Sequence, residues 1–167
     1  MEEGVNMTSY PVPSSNSIVV GGLPLYMEFE AASGSAILPG DLVQFNSPAG
    51  GDCTIKEGAA DSTEIVGVAD ISPQSATTPP RGSSRTVAYA AGDQVKVVRG
   101  PLTVMLRVAA SETIQCGEFV QPATSGEVKA YVCVTDNDCQ RIAQSLETLS
   151  QDTQSFQWGM FALERFG

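Results

Sequence analysis

Not one histidine occurs in the 167 residues. That absence removes Ser-His-Asp and Cys-His nucleophilic sites, imidazole metal sites, and the side chain best suited to general-base work near neutral pH. Basic residues are scarce too: nine lysines and arginines stand against nineteen acids, a formal net charge of -10. They form no run or stripe, and phosphate backbones demand clustered cations, so no direct nucleic-acid partner is expected. The acidic balance suits a soluble, non-sticky surface. The four cysteines, Cys53, Cys116, Cys133 and Cys139, fall in no CxxC pair. The paired-knuckle spacing of a structural zinc site is therefore missing, and free thiols in a reducing compartment are the expectation. Cys133 and Cys139 flank the turn-like Thr135-Asp136-Asn137-Asp138 and are the one pair placed for a disulfide across a hairpin. Long apolar runs are absent as well. Ile18 to Tyr26 is broken by Gly21, Gly22 and Pro24, far short of the roughly 20 residues a membrane helix needs, so no membrane partner is expected. Met1-Glu2-Glu3-Gly4 is acidic where a secretory signal is basic, which points to synthesis as a soluble intracellular protein.

What is present is turn and strand. Hydrophobic residues make up 42% and charged ones 17%, with Gly, Pro, Ser, Thr and Gln filling the difference. This is the balance of an all-β protein rich in turns. A short phrase also recurs: Pro39-Gly40-Asp41-Leu42-Val43-Gln44, Ala91-Gly92-Asp93-Gln94-Val95-Lys96 and Cys116-Gly117-Glu118-Phe119-Val120-Gln121. Gly supplies the positive φ of a tight turn, the acid accepts from the turn's own backbone, and the residues that follow alternate as a strand does. Asp41, Asp93 and Glu118 are accordingly read as turn-stabilising rather than catalytic.

The length fits one domain, with residues 18–167 as the body and residues 1–17, rich in Pro, Ser and Asn, as an extended arm. Strands are expected over Ile18–Val20, Tyr26–Glu30, Leu42–Phe45, Cys53–Lys56 and Ile65–Ala69, where Gly67 suggests a bulge or a close backbone approach. Turn residues Pro48 to Asp52 separate two of them. Ser72 to Ser84 carries Pro73, Pro79, Pro80 and Gly82 and reads as a long polar loop. Strands resume at Thr86–Tyr89, Val95–Val98, Leu102–Val108, Phe119–Gln121 and Val128–Val134, with turns at Arg99-Gly100-Pro101 and Ser125-Gly126. Arg141 to Glu147 fits either a helix, through Ile142, Leu146 and Leu149, or a strand paralleling Ile65–Ala69; its place after the third phrase favours the strand. Phe156 to Phe166 reads as a closing strand with a phase shift at Gly159.

Candidate chemistry is thin. A Ser-Lys dyad needs no histidine, but Lys56, Lys96 and Lys129, the only lysines, have no obvious serine partner in a strand context. Asp136-Asn137-Asp138 lacks the loop length and downstream Glu of an EF-hand. Gly21-Gly22 and Gly50-Gly51 lack the strand-to-helix setting of a phosphate cradle. Arg81 and Arg85 flank the polar loop and could grip an acidic partner. No catalytic, cofactor or metal residues are assigned, and no enzymatic activity is expected.

Taken in order, the three phrases, Ile65-Val66-Gly67-Val68-Ala69, Ala90-Ala91-Gly92-Asp93-Gln94-Val95 and Arg141-Ile142-Ala143-Gln144 resemble the capsid cement, or head-decoration, proteins of tailed viruses, over roughly Pro39 to Leu163. The resemblance implies a compact β-barrel or β-sandwich with an extended N-terminal arm. It also implies a homotrimer on the outer capsid surface at threefold or quasi-threefold positions, bound to the major capsid protein and stabilising the shell against genome pressure. The chain departs from that family in its longer N-terminal region, in the loop at 72–84 and at Gln144. The competing expectation is a receptor- or glycan-binding β-module of a spike or fibre, in which Trp158, Tyr89 or Tyr131 would stack on sugar rings.

Overall fold

The computed structural model describes residues 18–47, 52–71, 86–132, 140–150 and 157–163. Among them the chain runs through β1 (Val19–Gly22), β2 (Leu25–Ala31), β3 (Leu42–Ser47), β4 (Asp52–Glu57), β5 (Ile65–Ala69), β6 (Gln94–Arg99), β7 (Leu102–Val108), β8 (Thr113–Ile114), β9 (Phe119–Pro122), β10 (Val128–Ala130), β11 (Ala143–Ser145), β12 (Leu149–Ser150) and β13 (Gln157–Leu163). The all-β architecture expected from composition is what is found, in its barrel form, and the strands close twice. β2, β4, β3, β5 and β6 bond in that order into a closed barrel. β7, β10, β9, β11 and β13 follow the same order, and β13 returns to β7 along Gln157 to Ala162. β1 lies beside β7 at Leu102 to Val104.

Backbone hydrogen bonds of the first barrel recur at equivalent places in the second. The Ala32 N–H donates to Ile55 O at 2.8 Å in the first, and the Ala109 N–H to Val128 O at 2.9 Å in the second. Gly40 N–H to Ala69 O at 2.7 Å is matched by Gly117 N–H to Ser145 O at 2.8 Å, and Asp70 N–H to Lys96 O at 2.7 Å by Leu146 N–H to Met160 O at 2.9 Å. Each barrel has one parallel seam, and it is short. β2 and β4 pair at Glu30–Thr54 and Ala31–Ile55, while β7 and β10 pair only at Val108–Val128.

Strand alternation divides the apolar residues between two clusters. Ile37, Val43, Ile55, Ala69, Val95 and Val97 point into the first barrel around Tyr89. Their chain neighbours Leu42, Val68 and Val98 point out of it and join the cluster that fills the second barrel, with Ile18, Leu102, Val104, Leu106 and Phe161. Leu42, Val68 and Val98 are fully buried there, each worth about 1.5–3 kcal/mol of hydrophobic stabilisation. The outer face of one barrel is thus part of the other's core.

Several expectations need correction. Thr86–Tyr89 is turn and irregular chain rather than strand. Tyr89 serves instead as a buried anchor: its N–H donates to Ile37 O at 2.8 Å and its hydroxyl to Asp70 O at 2.6 Å. The strand from Val128 stops at Ala130: the Tyr131 N–H still donates to Phe119 O of β9, but the Val132 N–H turns from the backbone ladder to the side chain of Gln121. β13 pairs with β7 without a register shift, so Gly159 marks no bulge. A Cβ there would lie 2.4 Å from Leu149 Cδ1, and the glycine makes room for that core leucine. Met160 and Phe161 simply face opposite sides. The short pair β8–β12 gave no sequence signal, while β11 confirms strand over helix at Ala143–Ser145. The arm, the loop at 72–84, the turn at 48–51, Cys133 and Cys139 lie outside the described residues.

Gly67 meets both of its expectations. The β3–β5 register shifts opposite it, and a Cβ would stand 2.6 Å from Val97 Cγ1 and 2.7 Å from Val98 O. Gly67→Ala should therefore cost about 1–3 kcal/mol in urea unfolding. Gly21→Ala, which meets nothing within 4 Å, should stay within about 0.5 kcal/mol of the parent. Equal losses for the two would contradict this packing.

Candidate functional site

All three repeated phrases form the same turn. Gly40, Gly92 and Gly117 have φ of 93°, 82° and 89°, the third-residue conformation of a type II turn. The acid then closes the turn twice. Asp41, Asp93 and Glu118 each donate their N–H to the carbonyl three residues back, at 3.0 Å in every case. Each also accepts the N–H of that same residue on its carboxylate: Leu38 at 2.7 Å, Ala90 at 2.8 Å and Gln115 at 2.7 Å. The glutamines that end the first and third phrases have matching tasks, since Gln44 Oε1 accepts the Ala59 N–H at 2.8 Å and Gln121 Oε1 the Val132 N–H at 2.9 Å.

Asp41 does more than close its turn. It is fully buried between the barrels, where Arg107 Nη1 of β7 reaches its Oδ1 at 2.5 Å, and Arg107 Nη2 reaches Glu127 Oε1 at 2.7 Å. The Arg107 backbone N–H donates to Gly40 O at 3.4 Å. Gly126 lies against this cluster with φ +73°, and a Cβ there would be 2.6 Å from Asp41 Cβ. Burial pushes the Asp41 carboxyl up to about 7, against the pull of Arg107 and the Leu38 N–H. Burial raises Glu127 as well, again opposed by Arg107. One guanidinium facing two carboxyls makes a neutral buried cluster only when one of them holds a proton.

A second polar tie joins the barrels nearer the surface. Asp61 Oδ1 accepts from Lys129 Nζ at 2.9 Å and from Gln121 Nε2 at 2.6 Å, while the Asp61 N–H donates to Pro122 O at 3.1 Å. The hydrogen bond from Lys129 is the main reason that the Asp61 carboxyl titrates below its ordinary range.

The remaining sequence candidates are dispersed. Lys96 Nζ sits 3.3 Å from Asp70 and 4.2 Å from the Tyr26 ring centre, a salt bridge and a cation–π contact with no serine in either. Tyr89 is buried and unavailable to sugars, and Tyr131 is half-buried. Arg81, Arg85, Asp136-Asn137-Asp138 and the Trp158 side chain lie outside the described residues. Among the described residues no three metal-ligating side chains cluster. Cys53 and Cys116 are exposed free thiols. Arg107 belongs to none of the repeated phrases, and its one sequence signal is a lone cation between Leu106 and Val108 in an otherwise apolar strand, the sign of a buried partner.

Val20, Leu23, Leu25 and Tyr26 form an exposed apolar run from β1 into β2, and Val132 and Leu146 are exposed separately.

Removing one partner of the buried cluster should expose its worth. Arg107→Met is expected to cost about 3–5 kcal/mol, and Asp41→Asn combined with it should cost clearly less than the two single losses added. The pH dependence follows from a folded-state value above the ordinary 3.8. Between about 4 and 7 the folded chain keeps a proton that the unfolded chain has released, so this contribution is largest below about 4 and falls away as pH rises to about 7. Urea midpoints should decline over that window in the parent and flatten in Asp41→Asn. A parent that gains stability from Asp41 over the same window would contradict the assignment.

No protein-family model matches the chain, and no curated protein matches it in sequence. Among solved structures the fold is similar to the N base of head fiber gp8.5 of bacteriophage phi29, with TM-score 0.52 and 17% identity, over 84% of this chain and 96% of that one. At that identity the likeness is one of fold.

Proposed function

We propose that this chain is a structural protein of a tailed-phage virion that binds the outer surface of the assembled head. The observation that carries the reading is the similarity in fold to a head fiber base over 96% of that chain. It agrees with the resemblance of the repeated turn-strand phrases to capsid decoration proteins. In this role the molecule is a stiff, non-enzymatic clasp whose partners are the major capsid protein and further copies of itself, arranged as a homotrimer at threefold or quasi-threefold positions. A ligand that binds only the assembled shell stabilises it by mass action, by about 2.7 kcal/mol per site at a concentration 100 times Kd. Symmetry-repeated contacts add avidity without requiring a large single interface.

A second reading makes the chain the platform of a fibre or receptor-binding spike, and the head fiber neighbour favours it directly. Its glycan-stacking version loses Tyr89, which is buried.

Purified protein added to phage heads that lack it should co-sediment with them and raise the temperature at which they release DNA. Co-sedimentation with an unchanged release temperature would favour the platform over the clasp. Failure to bind filled or expanded heads would overturn the capsid-surface reading altogether.

A further inference from the structure

The internal repeat exposes a docking surface. Ala31 and Val108 both lie at their barrel's parallel seam, opposite Ile55 and Val128. Counting back along β2 and β7, Leu25 corresponds to Leu102, Met27 to Val104 and Phe29 to Leu106. In the second barrel Leu102 is 4% exposed, and Val104 and Leu106 are fully buried. They are covered by β1, with Ile18, and by the outward-facing Leu42, Val68 and Val98 of the first barrel. Their counterparts lack such a cover among the described residues. Leu25 is 60% exposed, Leu23 beside it 79%, and Met27 and Phe29 are half-buried.

The other half of that intrachain contact also has a counterpart. Leu42 corresponds to Phe119 through the turn phrase. Val68 corresponds to Gln144, since these pair with Leu42 and Phe119, and Val98 corresponds to Ala162, since these pair with Val68 and Gln144. In the first barrel this face is completely covered, whereas in the second Phe119, Gln144 and Ala162 are all partly exposed, with Arg141 stacked 4.4 Å from the Phe119 ring centre. One molecule therefore carries an uncovered copy of each side of a contact it already makes internally.

We infer that a second copy of this chain docks its β9–β11–β13 face, centred on Phe119, on the Leu23–Leu25–Met27 surface of the first, repeating between chains the barrel-on-barrel packing within each. The contact is heterologous, so it generates a closed ring or an open chain of barrels. It takes up the self-association of the proposed function, rests on that reading in this respect alone, and assigns the surface.

The test is the mass of the full-length protein in solution, by light scattering after gel filtration at tens of micromolar. The parent should run as an oligomer. Leu25→Glu, Leu23→Glu and Phe119→Asp should each fall to the 17.5 kDa monomer with an unchanged far-ultraviolet spectrum. Both leucines are mostly exposed, so two variants on one side guard against misfolding. A head-to-tail contact adds a sharper expectation: mixing Leu25→Glu with Phe119→Asp restores one intact junction and gives dimers. A monomeric parent, variants that keep the parent mass, or a mixture that stays monomeric overturns the inference. Head binding is scored separately, so a monomer that binds heads sinks this inference and leaves the proposed function standing, and an oligomer that ignores heads does the reverse.

Discussion

A small barrel held along one seam by a single residue pair cannot keep water from its apolar interior unless something lies across that seam. In the second barrel β7 and β10 meet only at Val108–Val128, and the inner face of β7 beyond that point needs a cover. β1 and the outside of the first barrel supply it. This requirement fixes the relation between the two halves: it explains why β3, β5 and β6 carry apolar residues on both faces, why β1 runs beside β7, and why the two apolar clusters abut. The Asp41–Arg107–Glu127 cluster sits at the same junction. Burial makes such a cluster a poor source of net stability but an exacting one in geometry, since any other placement of the barrels strands a charge.

Much of this was legible in the sequence because turn chemistry and strand alternation are local. Gly40, Gly92 and Gly117 with their acids marked three turns, and the hydrophobic alternation placed β2, β3, β5, β6, β7 and β9 close to where they stand. The parallel between Ile65–Ala69 and the segment after the third phrase correctly chose β11 over a helix. The failures were non-local. Thr86–Tyr89 has strand-like residues, yet Tyr89 is spent on a hydrogen bond to Asp70 nineteen residues away. Gly159 looked like a phase shift because both faces of β13 are apolar, and only the position of Leu149 reveals the steric reason for glycine. Arg107 finds its partner 66 residues back along the chain, a distance over which no pattern speaks. The duplication itself was half visible, since the first and third phrases mark the equivalent strands β3 and β9, while the second opens β6.

Absent histidine and scattered cations gave an expectation of a surface protein with no organised chemistry; what the described residues show are the polar ties Asp41–Arg107–Glu127 and Asp61–Lys129 and an exposed apolar run from Val20 to Tyr26. Which face makes the contacts was beyond any sequence pattern, because it depends on comparing the exposure of equivalent residues in two barrels whose sequences have largely diverged.

The division of apolar residues between the clusters also orders events during synthesis. Every residue of the first barrel's interior cluster lies between Ala31 and Val97, so that half has all of its core once its own strands have left the ribosome. The second cluster draws on Leu42, Val68 and Val98, and at roughly 5–20 residues per second of elongation these are presented several seconds before β13 exists. The earlier half thus presents one wall of the later half's core before the rest of that core has been made.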